Sequence, residues 1–143
     1  MKKEILITES QLQILVNTTK RVITEMANLT CSNANYESLS EFLGKKESKK
    51  IGNNTFLERL EPNVLGIRLH GTYIIEIDPT DIMKLKTKGW WSRTTKDRLN
   101  QFLGCRGVSI YQKDNNWTIK GMNGSFQFND DIMVTSDGDV IAR

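Results

Sequence analysis

The chain has 143 residues, 38% hydrophobic and 26% charged, which suits one soluble domain with a core, is too short for two comfortable domains, and lies outside the composition of disordered chains. Its formal charge of +3 and pI near 8.9 imply no partner by themselves, and no run nears the roughly 18 apolar residues of a membrane span. Two lysines precede the first apolar residues (MKKEILITESQLQILV), but Glu4, Glu9 and Ser10 interrupt them and no small-residue cleavage site follows, so no signal peptide is expected. Cys31 and Cys105 stand far apart without metal-ligand spacing, which predicts two reduced thiols in a cytoplasm.

In chain order, the first expected element is an amphipathic helix. Thr8 and Gln11 form a capping box, and Leu12, Leu15, Val16, Val22, Ile23 and Met26 recur on one face. Its apolar face either docks on its own domain, the reading preferred here, or pairs with a second copy or another protein. Turn-forming residues close it near Ala27 to Leu29. Residues 30–50 read as a polar linker holding one short helix near Ser38–Leu43, with KKESKK at 45–50 as a solvated charge run.

From Ile51 the periodicity falls to two. TFLERL, LGIRLH, TYIIEID and IMKLKT are strand-like runs divided by Glu61-Pro62-Asn63, His70-Gly71 and Asp78-Pro79. A helix is expected near 93–103, capped from Ser92–Thr95, with Asp97 in its first turn, Leu99, Phe102 and Leu103 as its packing face and Gly104 as its stop. Further strands are expected at 108–112, 117–121, 125–129 and 132–135. The fold class is therefore α+β: residues 1–50 an N-terminal amphipathic helix and polar linker, residues 51–143 a β-rich body. That body is expected to be a small curved antiparallel sheet or partly open barrel with one inserted helix.

Charge is distributed unevenly over this frame. Lys84, Lys86, Lys88, Arg93, Lys96, Arg98 and Arg106 lie within 84–106 against Asp97 alone, while residues 121–143 carry Asp130, Asp131, Asp137 and Asp139 against Arg143. Trp90 and Trp91 sit inside the basic segment. Read as strand neighbours they point to opposite faces, with Trp90 packed inward beside Gly89 and Trp91 outward among cations. Cations interleaved with an exposed aromatic suit phosphates and unstacked bases, and also suit a protein hot spot. The candidate site is Lys84, Lys86, Lys88, Trp91, Arg93, Lys96 and Arg98.

Catalytic chemistry finds little support. His70 is the only histidine and reads as a turn residue whose ring satisfies a carbonyl; no nucleophile or orienting acid accompanies it in a recognisable motif. One histidine and two isolated cysteines make a poor zinc set, and the acidic tail lacks calcium-loop spacing and reads as solvated surface. No phosphate-binding or dinucleotide fingerprint occurs. No enzyme, cofactor or metal is expected.

Residues 50–120 resemble a family of small, mostly uncharacterised bacteriophage proteins. The residues that carry the resemblance are Asn53-Asn54-Thr55, Arg68-Leu69-His70-Gly71-Thr72, Gly89-Trp90, Thr94-Thr95-Lys96-Asp97-Arg98-Leu99-Asn100 and Trp117. The resemblance implies a source and a domain, and transfers no activity. The resulting expectation is a phage accessory or regulatory binding protein in the host cytoplasm, with nucleic acid as the leading partner. The alternative is an inhibitor of a host defence protein.

Overall fold

The computed structural model describes residues 31–142, so the expected N-terminal helix lies outside the described residues. The described part opens with a 3-10 turn at Cys31–Asn33 and helix α1, Tyr36–Leu43. Asn35 caps α1 through its side-chain oxygen, which accepts the Ser38 amide at 2.8 Å. Leu39 and Leu43 are completely buried. The short helix placed in a polar linker is therefore part of the core: two leucines at i, i+4 suffice when a sheet receives them.

Strands β1 (Ser48–Gly52), β2 (Thr55–Glu61), β3 (Val64–Leu69), β4 (Thr72–Ile77) and β5 (Met83–Leu85) form an antiparallel meander. The supposed solvated run at 45–50 thus leads into an edge strand. Its lysines face water or neighbouring groups, while Ile51 is buried. After β5 the chain leaves the sheet for helix α2 (Arg93–Leu103), a 3-10 turn (Gly104–Arg106) and a second sheet of β6 (Ser109–Lys113), β7 (Asn116–Gly121) and β8 (Gly124–Gln127). It then returns as β9 (Ile132–Val134), antiparallel to β5, and β10 (Val140–Ile141). The fold is α+β as expected, with no closed barrel. Its strands form two antiparallel sheets, of seven and three strands, rather than one small curved sheet.

One face of the large sheet carries the core. Leu57, Ile67, Ile75, Leu85 and Ile132 are buried at successive strands, and Leu99, Phe102 and Leu103 of α2 are equally buried. Burying each such side chain is worth about 1.5–3 kcal/mol. Helix α2 begins where expected, but Ser92 alone is its cap: its hydroxyl accepts the Thr95 amide at 3.2 Å, and Asp97 falls beyond the first turn. Asn100 then ties α2 to the small sheet, donating to the Ile110 carbonyl at 2.9 Å and accepting its amide at 2.7 Å. The small sheet also meets the chain end: Met122 N–H donates to the Gly138 carbonyl, and the Asn123 amide pairs with both backbone groups of Val140.

The two cysteines are not isolated thiols. Cys31 and Cys105, 74 residues apart, form a disulfide with Cα atoms 5.3 Å apart. Sequence distance misled here, because the 3-10 turns at the start of the described chain and at the end of α2 are neighbours in the fold. Beside them Arg106 also points inward. It donates to the Asp81 carbonyl at 2.6 Å and the Ala34 carbonyl at 3.1 Å, and burial pushes its pKa below the usual arginine value, though nearby Asp81 opposes this. Arg106 belongs to the scaffold, not to a cationic surface.

Candidate functional site at the Trp90 cleft

The basic segment is organised by an acid from the opposite end of the chain. Asp130 Oδ1 accepts the Thr87 amide at 2.9 Å and its hydroxyl at 2.8 Å, while Oδ2 accepts the Lys88 amide at 2.8 Å. Thr87 is fully buried. Lys88 and Gly89 then take positive φ, 53° and 87°, so the chain turns sharply out of β5, and Trp90 N–H closes the turn on the Thr87 carbonyl. Asp131 adds a 3.7 Å contact to Lys86, whose main partner is Glu76 at 2.9 Å. Asp130 and Asp131 are thus folded onto the basic segment, whereas Asp137 and Asp139 are exposed as expected.

This turn leaves both tryptophans exposed: Trp91 lies outward as expected, but Trp90 is not packed inward. Strand β5 ends at Leu85, so strand alternation does not govern residues 90 and 91. Trp90 is 66% exposed and Trp91 49%. Trp91 meets Trp117 edge-on with ring centroids 4.9 Å apart and Phe128 with centroids 5.7 Å apart. Trp90 instead forms a wall of a cleft of about 370 Å³, within the usual range for small-molecule clefts. Leu69, Ile74 and Thr95 form the deeper lining, and His70, Thr72, Ser92 and Thr94 bring polar groups to it.

His70 enters through its backbone. At φ 54° it turns β3 into β4, its amide donates to the Asn54 carbonyl at 2.7 Å, and its carbonyl accepts Arg68 Nη1 at 2.6 Å. Among the described residues its exposed ring has no hydrogen-bond partner, so the expected ring-to-carbonyl bond is absent and the imidazole is available to the cleft. The neighbouring turn is pinned by the same group of residues: Thr55 Oγ1 donates to the Asn53 carbonyl at 2.8 Å, and Arg98 Nη2 reaches that carbonyl at 3.4 Å.

The seven expected site residues divide into three sets. Lys84 lies across from Glu76 in register, on the sheet face away from the core, and Lys86 is consumed by Glu76 and Asp131. Hydrogen bonding to Glu76 chiefly raises the Lys86 pKa, which keeps it a paired cation. Arg98 is half-buried, bonded to Gln101 at 3.0 Å, with its Nε buried and unbonded. Lys88 lies in the turn before Trp90, and Arg93 and Lys96 lie in the first turns of α2; none of the three lines the Trp90 cleft. Lys88 is exposed, Lys96 half-buried, and Arg93 is 91% exposed with only a 3.6 Å contact to Asp97. Trp91 belongs to a different depression. The residues missed by sequence reasoning were Trp90, the His70 ring, Ser92 and Thr94; the signal was available in Lys88-Gly89, a pair suited to a turn that breaks strand alternation.

Among the described residues, no three histidine, cysteine or acidic side chains gather to hold a metal ion, and no helix is long and apolar enough to cross a membrane. No curated protein and no solved structure matches the chain. A family model does match, over residues 31–137, which takes in every residue of the Trp90 cleft. The chain belongs to the phage family described as Kyanoviridae Gp96 protein.

Proposed function

We propose that this phage protein is a non-enzymatic binding protein whose Trp90 cleft takes an unstacked base of single-stranded nucleic acid. The observation that carries the reading is the indole of Trp90, 66% exposed at the mouth of a cleft with polar side chains. An exposed indole costs a solvated protein apolar surface and offers a base a stacking face. Lys88, Arg93 and Lys96 would take the flanking phosphates, while His70, Thr72 and Thr94 offer hydrogen bonds to a base edge. This recentres the site from Trp91 to Trp90 and from seven residues to a smaller set. A duplex keeps its bases stacked, so it should bind through phosphates alone.

The test is a fluorescence titration of wild type, Trp90→Ala and the triple variant Lys88→Ala/Arg93→Ala/Lys96→Ala with oligothymidylate and a duplex. Trp90→Ala should cost about 1–3 kcal/mol on the single strand and little on the duplex. Loss of three phosphate contacts should flatten the log–log salt slope by about 2 units on the single strand, at about 0.7 per contact. Wild type that binds neither strand at low salt refutes the reading. If it then retains a host protein through Trp90 after nuclease treatment of the lysate, the site is a protein-docking surface, the inhibitor alternative.

A further inference from the structure

We infer that the other side of the Trp90–Trp91 step is a second binding site, for a neutral saccharide. Trp91 lines a depression of about 360 Å³ floored by Trp117 and Phe128. Those two rings are almost fully buried and meet the half-exposed Trp91 edge-on, at 83° and 89°. Trp91 is therefore a braced aromatic plate, not a loose surface side chain. Such a plate accepts the C–H face of a pyranose ring, which is apolar although the ring's edge is not.

The rim supplies what that edge requires. Gln112, Asn115, Asn116, Gln127 and Asn129 bring five carboxamide side chains to the depression. Asn116 donates to the Asp114 carbonyl at 3.3 Å, whereas the other four amide groups have no protein hydrogen-bond partner among the described residues. Each carboxamide presents a donor and an acceptor side by side, the arrangement that matches adjacent hydroxyls on a sugar. Two features fix their positions. Gln112 stands directly across from Trp117 in the β6–β7 register, and Asp114-Asn115 form a tight turn at φ 52° and 67°.

Charge decides the ligand class. No ionisable side chain lines the depression. A phosphate chain or an acidic glycan would find no counter-charge there. A second neutral depression of about 310 Å³ shares Asn116, Trp117 and Gln127 and continues past Thr118 and Ser125 along edge strand β8. The two together suit several sugar units better than one.

The experiment titrates the intact chain with maltohexaose, cellohexaose, xylohexaose and N-acetylchitohexaose, read by tryptophan fluorescence and by saturation-transfer NMR. At least one should give a saturable signal that is unchanged between about 50 and 500 mM NaCl, since no ion pair is formed. Gln112→Ala and Asn129→Ala remove exposed amides without an internal partner and should keep the fold while weakening binding about tenfold each. Trp91→Ala should abolish it, with Trp91→Phe restoring part. The inference fails if no oligosaccharide of the panel gives a signal up to about 10 mM, or if the amide variants bind as wild type does. It also fails if oligothymidylate displaces the bound sugar, because the depression would then be part of the Trp90 site.

Discussion

Replacing Asp130 by Ala tests whether the acidic tail builds the site or merely lies beside it. The substitution removes three hydrogen bonds, two to Thr87 and one to the Lys88 amide. The Lys88 amide can turn to water because its residue is exposed, but Thr87 is fully buried. Its amide and hydroxyl would be orphaned at about 1–3 kcal/mol each. Because they share one acceptor oxygen the costs do not simply add, and the expected loss is about 2–5 kcal/mol. Asp130→Asn keeps a carbonyl oxygen for Thr87 and forfeits chiefly the Lys88 bond, so about 1 kcal/mol should go. Urea unfolding followed by far-ultraviolet circular dichroism gives both numbers from shifted midpoints at unchanged slope. Trp90→Ala oligonucleotide affinities serve as the scale for function: Asp130→Ala, at a urea concentration where it stays folded, should lose at least as much single-strand affinity as Trp90→Ala, since Lys88 is displaced with the turn. If Asp130→Ala lies within about 0.5 kcal/mol of wild type, or Asn costs as much as Ala, the Asp130 account of the turn is wrong.

Three further outcomes are expected. Cys31→Ser with Cys105→Ser, or full reduction, should lower stability by at most about 4.5 kcal/mol, the chain-entropy value for a loop of this length; mass spectrometry finding two free thiols in unreduced protein would refute the bond. Glu58 accepts Arg68 at 2.6 Å, Tyr73 at 2.5 Å and Ser48 at 3.1 Å, and the Arg68 bond chiefly holds its carboxyl below the usual range. The unfolded chain therefore takes up this proton first as pH falls: the contribution is complete above the ordinary glutamate range and lost as pH drops through the lowered folded value. Glu58→Gln should flatten the acid limb of a stability–pH profile, and an unchanged limb would refute the assignment. Gly138→Ala should block folding of the chain end, because φ is 89° and a Cβ would stand 2.0 Å from the Arg106 carbonyl oxygen; a variant with wild-type melting temperature would contradict that packing.

What was legible in the sequence was whatever local periodicity dictates. Helix α2 spans Arg93–Leu103 as the Leu99, Phe102, Leu103 face and Gly104 require, and β2, β3 and β4 lie within a residue or two of their alternating runs. Long-range partners were not legible. Nothing local to Thr87 points to Asp130, nothing local to Cys31 points to Cys105, and Lys86 looks free until Glu76 comes alongside on β4. The cationic surface was overcounted for that reason: charges were summed along the chain, whereas the fold spends Lys86 and Arg106 on internal partners. The misplacement of Trp90 as an inward residue has another cause. Alternation was applied to residues five and six positions past Leu85, where the Asp130-capped turn had already ended the strand.

The most direct test of the central claim uses the three tryptophans themselves. Each contributes one indole N–H cross-peak to a nitrogen–proton NMR spectrum, assigned by single Trp→Phe variants. Titration with oligothymidylate at low salt should move the Trp90 cross-peak progressively to saturation while the Trp117 cross-peak, from a ring 6% exposed, stays in place. A titration in which no indole moves, or in which Trp91 and Trp117 move and Trp90 does not, would contradict the assignment of the Trp90 cleft as the nucleic-acid site.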